Sequence, residues 1–262
     1  MARRLQQAGH TVHAWNRTQS KADPLAALGI AVHATVAEAV RQADIVVSLL
    51  ENGPAVEHVL FHAGAAQAMR PGTLFIDMAS IQPREARDHA ARLGEMGLAH
   101  LDAPVSGGTV GAENGTLAIM AGGRAEDFAR AQPVFAALGR ATHVGPHGSG
   151  QLAKLANQMI VGITIGAVAE ALLFAAKGGA DMAKVREAIQ GGFADSRILQ
   201  LHGQRMVDRD FAPKARMGVQ LKDMRNALGT AKEIGFDAPV TTLFEALYAE
   251  GVEHGLGELD HS

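Results

Sequence analysis

The sequence predicts an α/β domain with a mainly parallel sheet followed by an all-helical domain, and three observations carry that prediction. Short apolar runs alternate with amphipathic stretches from Thr11 to about Val144. The segment THVGPHGSG then breaks the chain with Pro146 and with Gly145, Gly148 and Gly150. From Gln151 onward the pattern is helical, with no strand run and no internal repeat. The boundary is placed at 146, giving domains 1–146 and 147–262.

Met1 to Ala8 reads as a helix of good formers, Gly9 sits where a helix C-terminus favours glycine, and Thr11 to Trp15 reads as a short strand. Further strands are expected at Ile45 to Leu50, Leu74 to Met78, His100 to Val105 and Leu117 to Met120, the last two as antiparallel partners. IVVSLL and LFID are continuous apolar runs, the pattern of strands buried on both faces. Thr35 and Glu38 have capping-box spacing for a helix from Thr35 to Gln42. The helical region is interrupted at Gly178–Gly179, at Gly191–Gly192, and near Pro213 and Pro239. LANQMIVGITIGAVAEALLFAA is apolar enough to raise the question of a membrane span. Lys154 and Glu170 bracket only a short uncharged run, whereas a span needs about 20 mainly apolar residues. A buried helix packed closely through Gly162 and Gly166 is the expected structure.

Composition narrows the function classes. At 262 residues, with 47% hydrophobic and 19% charged residues, the chain can bury one large or two medium cores. A net charge of −3 gives no basic field for nucleic acid or acidic lipid, so a small ligand is the expected partner. The absence of cysteine excludes disulfides, thiolate metal sites and thiol catalysis, and suits a reducing, cytoplasmic compartment. The twelve histidines show no metal-ligand spacing, and no metal site is expected. No apolar stretch of signal-peptide type follows Arg3 and Arg4.

Four constellations can carry chemistry. WNRT follows the first strand, where a doubly wound sheet meets an adenosine ribose. A guanidinium at Arg17, between Asn16 and Thr18, attracts a 2′-phosphate that a carboxylate would repel, which favours NADP over NAD. The same residues also make an ordinary polar turn. In DAPVSGGTVGAENGTLAIMAGG, Gly107 and Gly108 let the backbone approach a carboxylate and Ser106 adds a hydroxyl; a strand, a glycine turn and a second strand is the plainer alternative. In GSGQLAKLANQ, Lys154 and Asn157 or Gln158 fall on one helix face, and a lysine partly buried in a domain cleft can exchange a proton with a carbonyl or alcohol oxygen. In VQLKDMRNAL, Lys222 and Asp223 read by default as an exposed ion pair.

Taken in order, DAPVSGG…GTLAIMAGG, GSGQLAKLANQ and LKDMRNAL resemble the β-hydroxyacid dehydrogenase family over essentially the whole chain. The resemblance implies a Rossmann-type N-terminal domain that binds NAD(P), and a helical substrate and oligomerisation domain joined to it by a long helix. It implies that Lys154 is the catalytic acid and base, that Ser106, Gly107 and Gly108 hold the substrate carboxylate, and that Asn157 orients the substrate. Lys222 would lie near the nicotinamide, and Leu50 and Ser80 would touch the cofactor. Gln158 stands where many relatives have a second asparagine, Glu51 where many have proline, and Ala79 where many have serine. Relatives with NRT after the second strand tend to use NADPH. GGFADSRILQLHGQRMVDRDF resembles the branch that reduces tartronate semialdehyde; oxidation of 3-hydroxyisobutyrate and reduction of glyoxylate or succinic semialdehyde are the alternatives. Imine-reducing relatives usually replace the lysine. Assembly as a homodimer or homotetramer is expected by the same resemblance. Relatives precede the first helix with a strand and a G-x-G-x-M-G loop, whose methionine Met1 matches, and continue past DHS into a final helix. A chain lacking that first strand and loop is expected to bind the dinucleotide weakly, and a non-catalytic module that binds partners is the reading from another class.

Overall fold

The computed structural model describes residues 1–262, which divide into two compact units, Met1–Lys154 and Leu155–Ser262.

The first unit opens with α1 (Ala2–Gln7), and Gly9 follows it at a φ of 91°, the left-handed conformation that makes glycine the natural stop. Two short strands, β1 (His13–Ala14) and β2 (Ala31–Val32), pair in parallel as a separate two-stranded sheet. Thr35 caps α2 (Val36–Val40) in the capping box read from the sequence, its side chain accepting from the Glu38 N–H while Glu38 accepts from the Thr35 N–H. Then come β3 (Ile45–Ser48), α3 (Gly53–Glu57), α4 (Ala65–Ala68), β4 (Leu74–Asp77), α5 (Pro83–Glu95), β5 (Ala99–Asp102) and β6 (Val105–Ser106). A short helix α6 (Gly108–Asn114) leads to β7 (Leu117–Gly123), α7 (Ala125–Leu138) and β8 (Gly139–Gly145).

The main sheet runs β3-β4-β5-β7-β6, with β8 also on β7. β3, β4 and β5 are parallel, and β7 is antiparallel to β5, as the sequence predicts, and also to β6. LFID of β4 is buried throughout, but IVVS of β3 is only half-buried because it forms an edge of this sheet. Two apolar clusters pack the sheet's faces. One gathers Val56, Leu60, Phe75 and Leu93; the other gathers Leu74, Ile76, Leu101, Ile119, Phe135 and Leu138. Phe75 and Ile76, neighbours on β4, fall into different clusters because alternate residues of a strand face opposite sides.

The long helix α8 (Ser149–Lys177) begins in the first unit and continues into the second. The second unit adds α9 (Met182–Ile189), α10 (Arg197–Asp208), α11 (Met217–Glu233) and α12 (Pro239–Gly251), and contains no strand longer than an isolated bridge. Close packing through the α8 glycines is present: a Cβ on Gly166 would lie 2.0 Å from the Phe244 ring, and one on Gly162 would lie 2.6 Å from the Gln220 amide. The Tyr248 hydroxyl donates to the Gly162 carbonyl at 3.1 Å. Full burial of this helix is not observed. By length and composition it could cross a membrane, and only 22% of its most apolar stretch is buried within the chain. Val168 and Leu172 join Leu199 in a small core, whereas Ile160 and Phe174 are 67% and 79% exposed.

Candidate active site

The carboxyl ends of β3, β4 and β5 form one edge of the sheet, the edge at which parallel α/β sheets bind ligands. Leu50 follows β3, Ser80 follows β4 and Ser106 follows β5, so three of the sequence-derived site residues issue from this edge. The β4 exit is held by Asp77, whose Oδ1 accepts from the Ala79 N–H at 3.0 Å and from the Ser48 hydroxyl at 2.9 Å. Asp77 is fully buried and its Oδ2 has no partner; burial pushes its carboxyl up to about 7, against the downward pull of the Ala79 and Ser48 bonds.

Asp102, at the end of β5, faces the start of α8. Its Oδ1 accepts from the Gly148 N–H at 2.8 Å and its Oδ2 from the Gln151 N–H at 3.0 Å. A carboxylate from another strand therefore caps the positive end of a 29-residue helix, where donors without intrahelical partners and the helix dipole both favour negative charge. Burial raises the Asp102 carboxyl, and these two N–H groups oppose the rise. Such closeness requires glycine at 150, because a Cβ there would sit 2.3 Å from the Asp102 carbonyl oxygen and 2.5 Å from that of Met120.

Gln151, fully buried, makes a second tie. Its Nε2 donates to the Ala79 carbonyl at 2.9 Å and its Oε1 accepts from the Ile81 N–H at 3.0 Å, so the two bonds bracket Ser80. Lys154 lies three residues further along α8, on the same face and half-buried. Ser106 ends β6, and Gly107 and Gly108 turn the chain into α6 at φ values of 134° and 63°, which L side chains rarely adopt. The plainer alternative of a glycine turn running straight into a second strand is corrected: the turn enters a helix before β7, since glycine frees the backbone to turn abruptly out of β6.

Asn16, Arg17 and Thr18 follow β1 of the two-stranded sheet. They are exposed, and the Thr18 N–H donates to the Asn16 Oδ1 at 2.9 Å in an Asx-turn that leaves Arg17 at its tip.

The second unit carries Asn157 and Lys222. The Asn157 amide donates to the Gln158 Oε1 at 2.9 Å, the Gln158 Nε2 donates to the Asp223 Oδ2 at 2.6 Å, and Lys222 Nζ lies 3.1 Å from the Asp223 Oδ1. The reading of Lys222 and Asp223 as an exposed pair is thus corrected: Asp223 is 2% exposed, and α11 presents it inward to the Gln158 amide of α8. Elsewhere in this unit His202, Asp260 and His261 come within metal-ligating distance of one another. Arg205 Nη1 lies 2.7 Å from the Asp260 Oδ1, and the Lys214 and Ala215 N–H groups donate to Oδ2, so a guanidinium already stands where a cation would.

Asp77, Asp102 and Gln151 were not singled out from the sequence as site residues, and Asp223 was named there only as the partner of Lys222. The available signal was polarity inside apolar context: Asp77 closes LFID, and Gln151 stands between the GSG breaker and an apolar helix.

Residues 1–145 match the family described as the NAD-binding domain of 6-phosphogluconate dehydrogenase, and residues 148–262 match that described as NAD-binding of NADP-dependent 3-hydroxyisobutyrate dehydrogenase. The chain is 43% identical to the 2-hydroxy-3-oxopropionate reductase of Escherichia coli, covering 100% of this chain and 90% of that protein. It belongs to the β-hydroxyacid dehydrogenase family. Among solved structures, the 3-hydroxyisobutyrate dehydrogenase of Salmonella typhimurium superposes with a TM-score of 0.91 at 28% identity, over 100% of this chain and 92% of that one. The Mycobacterium tuberculosis 3-hydroxyisobutyrate dehydrogenase, solved with L-serine, gives 0.90 at 31% identity, over 99% and 91%. This β-hydroxyacid dehydrogenase family member accordingly has a Rossmann-type NAD(P)-binding domain followed by a helical domain, and is an NAD(P)-dependent 3-hydroxyacid oxidoreductase.

Proposed function

We propose that the protein reduces a short semialdehyde acid, tartronate semialdehyde first among them, to the corresponding hydroxy acid with NADPH. The observation that carries this reading is the position of Lys154, one turn beyond a helix start tied to the exits of both β4 and β5. Identity to the Escherichia coli reductase favours tartronate semialdehyde. The two solved dehydrogenases favour 3-hydroxyisobutyrate, which is the second reading.

Several of the residues present offer groups suited to parts of the dinucleotide. Arg17, exposed at the tip of its turn, offers a guanidinium to a 2′-phosphate, and Ser80 and Leu50 offer a hydroxyl and an apolar surface at the sheet edge. When bound, the cofactor supplies the hydride that passes to the carbonyl carbon. Ser106, Gly107 and Gly108 seat the substrate carboxylate, and the Asn157 amide orients the substrate. The Lys154 ammonium gives its proton to the carbonyl oxygen as charge develops there; in the oxidative direction the neutral amine takes the alcohol proton back. Lys222, a further candidate for cofactor binding, pairs with Asp223. The exposed apolar residues of α8 suit burial against a second copy, in a homodimer or homotetramer.

The test is a panel of small aldehyde acids assayed with NADPH and NADH on the wild-type chain and on Lys154→Ala. The expected result is turnover favouring NADPH in the wild type, none in Lys154→Ala, and NADPH affinity within about twofold between them. Turnover retained by Lys154→Ala removes the lysine from its role, and preference for NADH removes Arg17 from its role.

A further inference from the structure

We infer that Gln151 is a positioning residue for the reaction, setting where the Lys154 amine stands relative to Ser80; this rests on the functional reading above. Both ends of the Gln151 amide bond to one short segment. Its Nε2 donates to the Ala79 carbonyl and its Oε1 accepts from the Ile81 N–H, at 2.9 and 3.0 Å, which fixes the peptide groups on either side of Ser80. No other residue type forms this pair of bonds at neutral pH from an equal reach, because it needs one donor and one acceptor on a single planar group.

The main chain of the same residue is held independently, since its N–H donates to Asp102. With both ends fixed, the first turn of α8 cannot rotate about its axis without breaking a buried bond, and breaking one costs about 1–3 kcal/mol. Lys154 is three residues on, a rise of about 4.5 Å along the helix and an azimuth about 60° away, on the same side of the helix. Its Cα therefore takes its place from the segment that carries Ser80. A proton donor misplaced by about 1 Å can cost a hundredfold in rate, which is the leverage Gln151 holds over the chemistry without touching the substrate.

The experiment is single-turnover stopped flow, following NADPH oxidation in the wild type, Gln151→Met and Gln151→Glu, together with hydrogen exchange at the Ile81 amide. Met matches the reach of Gln but makes neither bond. Gln151→Met is expected to lower the single-turnover rate constant 10- to 100-fold at undiminished amplitude. Gln151→Glu is expected to approach the wild-type rate as pH falls, because the protonated acid can accept from Ile81 and donate to Ala79. A structural role alone would lower the amplitude, the fraction of competent molecules, and leave the rate constant unchanged; that result overturns the inference. Exchange at Ile81 should be slow in the wild type and at least tenfold faster in Gln151→Met, and fast exchange in the wild type overturns the clamp itself. A wild-type chain that reduces none of the aldehyde acids overturns the functional reading and with it the catalytic consequence of the clamp, while exchange at Ile81 still reports the clamp.

Discussion

At the scale of single residues the molecule concentrates polar groups where its strands end. Asp77 shows the cost. Its carboxyl is raised by burial from 3.8 to about 7, so between those values the folded chain holds a proton that an unfolded chain has released. Rising pH therefore removes stability across that window, and the loss is complete above about pH 7. Asp77→Asn keeps an oxygen for Ala79 and Ser48 and has no charge to bury. Urea unfolding should find this variant more stable than the wild type at pH 8 by on the order of 4 kcal/mol, with the difference vanishing near pH 4. Parallel stability curves for the two proteins would count against a buried ionisation at this position. Asp77 and Gln151 were hard to find in the sequence because a polar residue within an apolar run has no distinctive spacing, and its partners are set by tertiary structure. Lys154, Ser106 and Gly107 were easier to find because long motifs surround them.

Among the elements, the α8 glycines invite a paired comparison. A methyl group at Gly166 meets the Phe244 ring at 2.0 Å, while one at Gly229 on α11 meets nothing within 4 Å. Gly166→Ala is expected to destabilise by about 1–3 kcal/mol, and Gly229→Ala to stabilise by up to about 1 kcal/mol. Denaturant midpoints of the two variants check both signs. The strands with apolar runs were legible at β3, β4, β5 and β7. β8 was not, because GRATHVG lies at the sheet margin with most of its residues exposed and so lacks such a run. β2, two residues long after Gly29 and Ile30, is below the length at which alternation can be read. α6 was hidden by the glycines that precede it, which read as a turn.

At the scale of the whole molecule, the helical unit exposes apolar surface. Ile160 and Phe174 on α8, and Val240, Leu243 and Leu247 on α12, face outward from the chain. Sedimentation equilibrium is expected to give a species of two or four chains, and Phe174→Glu to shift it toward one; a single-chain mass for the wild type refutes the assembly. Asp102 also has a consequence for mechanical tolerance. The strand that leads on toward Ser106 ends in the carboxylate that holds the start of the helix bearing Lys154. Thermal wander in the sheet carries the two along together, so misalignment between them accumulates from one joint rather than from two in series.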